Sequence, residues 1–269
     1  MSDEKELAYR YDLFVTPDWR DRFDTLVAKH IKLPTEGRIL DVNCGTGAHA
    51  IEIAEGLRNK GEVIGVDSSA ERIEIARAKA QVKKLKEATF EQSLPYDLRF
   101  ESDLFDVVIG DASLLPTNEV EDVLSEMVRV ASQGGRVVFK IATHGSFGEF
   151  FSIFWEALHD VGLDANVWSD LEELINDRKT MSDVEQMARS TGLRRIVSFT
   201  SREEFSFETG DQFLSSPLIA DLFLEGWLDI VPEEQRQEIS SRIEEIIERE
   251  RNDGPFYVSI KAAIVAGVK

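Results

Sequence analysis

With 269 residues, 42% of them apolar, the chain is long enough for one large domain or two small ones and can bury a sizeable core. A formal net charge of −20, from 51 acidic and 31 basic residues, argues against nucleic acid as a partner, because phosphate binding needs clustered Lys and Arg. The one cysteine, Cys44, excludes an internal disulfide, no apolar run approaches the roughly 20 residues of a membrane span, and the charged start Met1–Glu6 lacks a signal-peptide core, so a cytoplasmic chain with no membrane partner is expected.

Residues 1–10 are polar and are expected to be mobile. From Trp19 onward, Phe23, Leu26, Val27, His30 and Ile31 recur at helical spacing, and His30 on that face reads as structural. Pro34, Glu36 and Gly37 form a turn before a first strand at 38–43. Residues 48–57 read as a helix with Ile51, Ala54 and Leu57 on one side, followed by a turn at 59–61. The second strand, 62–67, ends in Asp67. Ser68 and Glu71 then have capping-box spacing at the start of a helix carrying Ile73, Ala76 and Ala80, with Lys83, Lys84 and Lys86 in its last turn.

A third strand spans 88–91, Leu94-Pro95 opens a loop, and 105–110 forms a fourth strand. Thr117 or Asn118 caps a helix carrying Val120, Val123, Leu124, Met127, Val128 and Val130; Gly134-Gly135 breaks it before a fifth strand at 136–142. Strands that are near-continuous apolar runs, alternating with helices, predict a doubly wound α/β architecture with a parallel sheet covered on both faces. Ligands of such sheets bind beyond the carboxyl ends of the strands. Asp41–Gly47, Asp67, Gln92-Ser93, Asp111 and Thr143-His144 converge on that edge.

Beyond the fifth strand, Phe147, Phe150, Phe151, Phe154, Trp155 and Leu158 mark a helix with a broad apolar face. Met181–Thr191 is a further helix, and 193–207 reads as a strand pair or one long strand. Residues 211–251 are helical around Pro232, and Phe256–Val265 closes the chain as a strand. The expected organisation is an N-terminal helical cap at 1–37, an α/β core at 38–142, and a C-terminal part at 143–269. That last part would hold helical lid insertions at about 145–180 and 210–254 together with the last two sheet strands.

The stretch Arg38–His49 carries the chemistry. A strand ending in Asp41 runs into a glycine loop and then a helix, an arrangement that presents free N–H groups and a positive dipole end to an anionic or polar ligand. Gly45-Thr46-Gly47-Ala48-His49-Ala50 fits G-x-G-x-x-A, and Asp67 stands at ribose-binding distance, so a dinucleotide is one reading. The fuller match is elsewhere. Ile39–Gly47 resembles the first motif of the class I S-adenosylmethionine-dependent methyltransferases, an acid followed by alternate glycines. Ile64–Ser69 resembles their second motif and Phe105–Val108 the fourth-strand motif. Glu126–Val130 with Gly134–Phe139 resembles the helix and fifth strand.

This resemblance implies a Rossmann-like, mostly parallel seven-stranded sheet and S-adenosyl-L-methionine as cofactor. The backbone of Asn43, Cys44, Gly45, Thr46 and Gly47 would lie against the methionine part, and Asp41 would meet its ammonium. Asp67 would take the ribose hydroxyls and Ser68 would flank the adenine. Gln92, Ser93 and Leu94 would form the adenine edge, Gly110 and Asp111 would sit near the sulfonium, and Tyr11 resembles an N-terminal aromatic that closes over the cofactor. Two positions depart from the family pattern. Asn43 stands where a glycine is usual, though Asn tolerates the left-handed conformation, and Gln92-Ser93-Leu94 replaces the usual Gly-Asp-Ala.

Methyl transfer from a sulfonium is an in-line displacement to which the protein adds position and exclusion of water. If the acceptor arrives protonated, His144 or Asp111 is the candidate base; His49 and His159 fall within helices and read as structural. With no basic cluster in the insertions and no Asn-Pro-Pro-Tyr type tetrapeptide after the fourth strand, a small organic methyl acceptor is expected. No metal site is expected. The competing functions are an NAD(P)-dependent oxidoreductase and a non-catalytic S-adenosylmethionine-binding protein of the same fold.

Overall fold

The computed structural model describes residues 3–57 and 60–269; the expected turn at 59–61 lies partly outside the described residues. Helix α1 (Asp3–Arg10) replaces the expected mobile terminus and leads into a π-helical segment, Tyr11–Arg20. Burial there falls on Tyr11, Val15, Thr16, Trp19 and Arg20, a repeat of four to five residues that matches the wider π turn. Helix α2 (Asp21–His30) buries Phe23, Leu26 and Val27 as its periodicity predicts, while His30 is exposed and stacks on Phe199 at 4.1 Å.

Then follow β1 (Gly37–Val42), α3 (Ala48–Leu57), β2 (Gly61–Asp67), α4 (Ala70–Lys83), β3 (Ala88–Gln92), β4 (Phe105–Asp111), α5 (Val120–Val130) and β5 (Ala131–Thr143). The cap of α4 is Ser69, whose Oγ accepts from Arg72 N–H at 3.1 Å, and not Ser68. Asp67 Oδ1 accepts from Ser69 N–H at 3.0 Å and so holds the chain extended one residue longer. Lys84 closes α4 in the left-handed conformation, leaving Lys86 outside the last turn. A 3₁₀ turn, Thr117–Glu119, precedes α5, and neither helix start carries a side-chain cap.

The glycine pair does not break α5. The helix ends at Val130, and Ala131 already pairs with Phe105, whereas the next registered pair is Val107 with Arg136, so 132–135 bulge out of β5 around Gly134. The chain continues with α6 (Gly148–Val161), α7 (Asp164–Asn176), α8 (Met181–Ser190), a single long β6 (Arg194–Phe207), α9 (Gly210–Ser215), α10 (Pro217–Ala220), α11 (Leu224–Leu228), α12 (Arg236–Glu250) and β7 (Phe256–Val268). The expected helical run 211–251 is thus four helices. Ser216 caps α10 with Pro217 at its first position, where a missing N–H costs nothing.

The seven strands form one sheet in the order β3-β2-β1-β4-β5-β7-β6, and the pairs β1–β2, β1–β4, β2–β3 and β4–β5 are parallel. Two compact units are present: residues 1–142, 180–201 and 262–269, and residues 143–179 with 202–261. The first unit's core joins Leu40, Val42, Val66 and Val108 to Val123, Leu124 and Met127 of α5. The second unit's core is aromatic: Phe150 stacks on Trp227 at 4.1 Å and packs on Phe154 and Phe213, while Phe147 packs on Phe223 and Trp227. No described helix is long and apolar enough to cross a membrane.

Candidate functional site

The glycine loop leaves β1 through three residues of positive φ: Asn43 at 55°, Gly45 at 59° and Gly47 at 81°. Asn43 adopts the left-handed form that the missing glycine demands, and its Nδ2 donates to the Asp111 carbonyl at 2.9 Å. Gly45 needs its bare α-carbon twice over, for its φ and because a Cβ there would meet the Tyr11 ring at 3.0 Å. The loop is pinned from β2 as well: Cys44 N–H donates to the Val66 carbonyl at 2.9 Å, and Gly45 N–H to Asp67 Oδ2 at 2.9 Å.

Asp67 is buried, with Oδ1 also facing Arg72 Nε at 3.3 Å. It ties the first glycine loop to the start of α4, and each oxygen keeps a further lone pair for a hydroxyl donor. Asp41 is different. It is 0% exposed, and neither carboxylate oxygen has a hydrogen-bond partner among the described residues. Burial pushes its pKa up against the opposing pull of Lys140, His49 and Arg20. An orphaned buried carboxylate at a strand's carboxyl end suits a cationic ligand group.

Around these residues lies a charge network that the sequence did not single out. Arg20 Nη1 donates to Tyr11 Oη at 3.0 Å and Nη2 to the Asn43 carbonyl at 2.6 Å, with Asp111 Oδ2 3.4 Å away. Lys140, on β5 and 0% exposed, donates to Asp24 Oδ1 at 2.6 Å and lies 3.6 Å from Asp111 Oδ2. His49 Nδ1 is 3.3 Å from Asp24 Oδ1 without hydrogen-bond alignment, in keeping with a structural role. Asp12 accepts from Thr46 of the loop and from Lys79 of α4, and Arg72 lies over the Tyr11 ring at 4.8 Å. The π-helical segment is therefore fastened to the loop through Tyr11, Asp12 and Arg20.

Asp111 is held by Ser113 N–H at 2.9 Å and Ser113 Oγ at 2.5 Å, and Trp19 Nε1 donates to that same Oγ at 2.8 Å. Burial alone would raise its pKa, but Arg20, Lys140 and Ser113 outweigh this and keep it below the ordinary carboxylate value. Such a carboxylate is a counter-charge and a poor proton acceptor. Gly110 has a packing reason: a Cβ there would sit 2.4 Å from Met127 Sδ. Cys44 is buried, and burial together with Asp67 and Asp41 pushes its thiol well up, so it is a packing residue and not a nucleophile.

At the β3 end, Gln92 is exposed and donates from Nε2 to the Ser68 carbonyl at 2.8 Å. Ser93 is buried, its N–H on the Asp67 carbonyl at 3.0 Å and its Oγ near Leu94 and Asp97 carbonyls at 3.4 and 3.5 Å. Ser68 and Leu94 are exposed. His144, in the second unit, anchors its N–H on the Lys179 carbonyl at 2.9 Å and lines a cleft of about 560 Å³ with Phe151, Trp155, Trp168 and Leu171. His159 is exposed and stacks on Trp155.

Residues 34–197, more than half of the chain, match the protein family described as Methyltransferase domain. The chain is 40% identical over 106 residues to the demethylmenaquinone methyltransferase of Lactococcus lactis, covering 39% of this chain and 42% of that protein. Over 165 residues it is 26% identical to the Bacillus cereus (strain B4264) demethylmenaquinone methyltransferase, covering 58% and 70%. The chain thus spans less than half the length of the first of these relatives. Among solved structures it resembles the YcgJ protein of Bacillus subtilis, with a TM-score of 0.61, 19% identity and coverage of 93% and 98%. It also resembles a Haemonchus contortus phosphoethanolamine N-methyltransferase in complex with phosphomonomethylethanolamine and S-adenosylhomocysteine, with a TM-score of 0.58, 18% identity and coverage of 97% and 57%.

Proposed function

Because this chain belongs to the methyltransferase domain family and has the class I S-adenosylmethionine-dependent fold, we propose that it moves a methyl group from S-adenosylmethionine to a small organic acceptor. The observation that carries this reading is the pair of buried acids flanking a left-handed glycine loop: Asp41, without a hydrogen-bond partner among the described residues, and Asp67, fastened to Gly45. The orphaned Asp41 fits an ammonium group, and the remaining lone pairs of Asp67 fit two vicinal hydroxyls.

In this reading Asp41 takes the ammonium and the backbone of Asn43–Gly47 lies along the methionine part. Asp67 takes the ribose, with Ser68 and Gln92–Leu94 beside the adenine. When bound, the cofactor supplies a methyl group on an electron-poor sulfur. The chain's own contribution is placement and charge. Arg20 holds the Asn43 carbonyl and so the loop's shape, and Asp111, kept ionised by Arg20 and Lys140, supplies negative charge at the end of β4. His144 is the proton acceptor for an acceptor that arrives protonated.

The printed names of the relatives support a small-molecule acceptor, and the family match gives no support to the oxidoreductase reading. Calorimetry with S-adenosylmethionine, S-adenosylhomocysteine and NAD tests the cofactor. Binding of both adenosyl compounds is expected; binding of NAD and neither of them would overturn the reading. A metabolite screen with methyl-labelled cofactor then identifies the acceptor, and no transfer to any metabolite would favour a binding protein of this fold.

A further inference from the structure

Arg178 lies in the second unit, in the link between α7 and α8, with its Cζ 5.5 Å from the Phe147 ring centroid and 5.8 Å from that of Phe223. These rings pack on each other at 5.0 Å and both contact Trp227, at 5.1 and 5.4 Å. The guanidinium has no hydrogen bond and no ion pair among the described residues; the acid that acts on it is Asp177, its chain neighbour. Protein surrounds the side chain on most sides, yet it keeps partial exposure. Burial lowers its pKa to about 10, so it remains cationic at neutral pH.

That arrangement is out of keeping with the rest of the chain. Arg20, the buried arginine of the first unit, has a phenol and a carbonyl as acceptors and a carboxylate as counter-charge. Aromatic faces steady a cation but accept none of the five guanidinium N–H donors in their plane. A planar fork of donors left open beside apolar rings matches a carboxylate, which it grips through two parallel hydrogen bonds. A single guanidinium balances one negative charge, and in a chain of net charge −20 a dianionic phosphate meets more repulsion than a carboxylate does.

We propose that Arg178 anchors a carboxylate on a flat, apolar small molecule whose body lies along Phe147 and Phe223. The structural reading is of a binding site; identifying its ligand as the methyl acceptor rests on the function proposed above.

The test is calorimetry on the full chain with 2-naphthoate, the neutral 2-naphthamide and inorganic phosphate, using wild type, Arg178→Gln and Arg178→Lys. The expected result is that 2-naphthoate binds wild type, loses at least tenfold in affinity with Arg178→Gln, and recovers part of that loss with Arg178→Lys. 2-Naphthamide should bind more weakly than 2-naphthoate to wild type and equally to wild type and Arg178→Gln. Equal 2-naphthoate affinity in wild type and Arg178→Gln would overturn the proposal, as would no 2-naphthoate binding to wild type or phosphate binding as tightly. Thermal melting separates a structural role: Tm should hold or rise in Arg178→Gln, because an unpaired charge has been removed, and a fall of several degrees would mark Arg178 as a packing residue. S-adenosylhomocysteine titrated into the same samples reports on the proposed function separately, since its binding uses the first unit's loop.

Discussion

Asn43 Nδ2 donates to the backbone carbonyl of Asp111 at 2.9 Å, so the residue that stands in place of a glycine also ties the end of β1 to the end of β4. Its φ of 55° is one that Asn tolerates better than any other residue bearing a side chain. Asn43→Ala should therefore lose both advantages, with about 1–2 kcal/mol of left-handed strain and about 0.5–1.5 kcal/mol from the bond. Asn43→Gly should lose only the bond. Urea unfolding with both variants checks this; equal stabilities would show that the conformation carries no strain.

Asp67→Ala should weaken S-adenosylhomocysteine binding at least tenfold in calorimetry, or about 1.4 kcal/mol. Two losses combine there: the proposed hydroxyl contacts, and the anchor that Gly45 and Ser69 N–H groups now share. Unchanged affinity would place the ribose elsewhere.

Lys140→Met should destabilise the protein by about 3–5 kcal/mol, because Asp24 and Asp111 stay buried without their shared cation. The pH dependence follows from the directions of the shifts. Burial alone would raise Asp24, but Lys140, His49 and Arg20 outweigh it and hold it low; Asp111 is likewise held low. Stability from these acids is present above the usual Asp value of about 3.9 and is lost as pH falls through their lowered folded values. In the variant that linkage is weakened, so the gap to wild type should be widest near neutrality and narrow below about pH 4. Denaturant midpoints measured from pH 3 to pH 7 decide it, and a constant gap would mean that packing, not charge, sets the cost.

His144→Ala should leave S-adenosylhomocysteine affinity unaltered while lowering turnover of the identified acceptor by roughly 10²–10⁴ if that acceptor must be deprotonated. Wild-type turnover across the pH range would remove His144 from the mechanism.

Much of the first unit was legible because its signals are local. Apolar runs bounded by turns located β1 to β4, and the α5 stripe from Val120 to Val130 fell where periodicity put it. Asn43 was placed in the left-handed region by the need for a tight loop alone. Errors fell where two local signals compete with a distant partner. Gly134-Gly135 looked like a helix stop, but Ala131 had already found Phe105 across the sheet, and the Ser68 cap moved to Ser69 because Asp67 holds that N–H.

The chain's order of residues by itself determined the parallel α/β architecture, the glycine loop and the acids at the ends of β1 and β2, since backbone sterics and side-chain period act over a few residues. Only the tertiary structure decided which charges meet. Lys140 finds Asp24 across 116 positions, Arg20 reaches Asn43 across 23, and Arg178 is left with aromatic rings and no acceptor among the described residues. Charge strength depends on burial and distance, and both are set where distant segments cross and not along the chain.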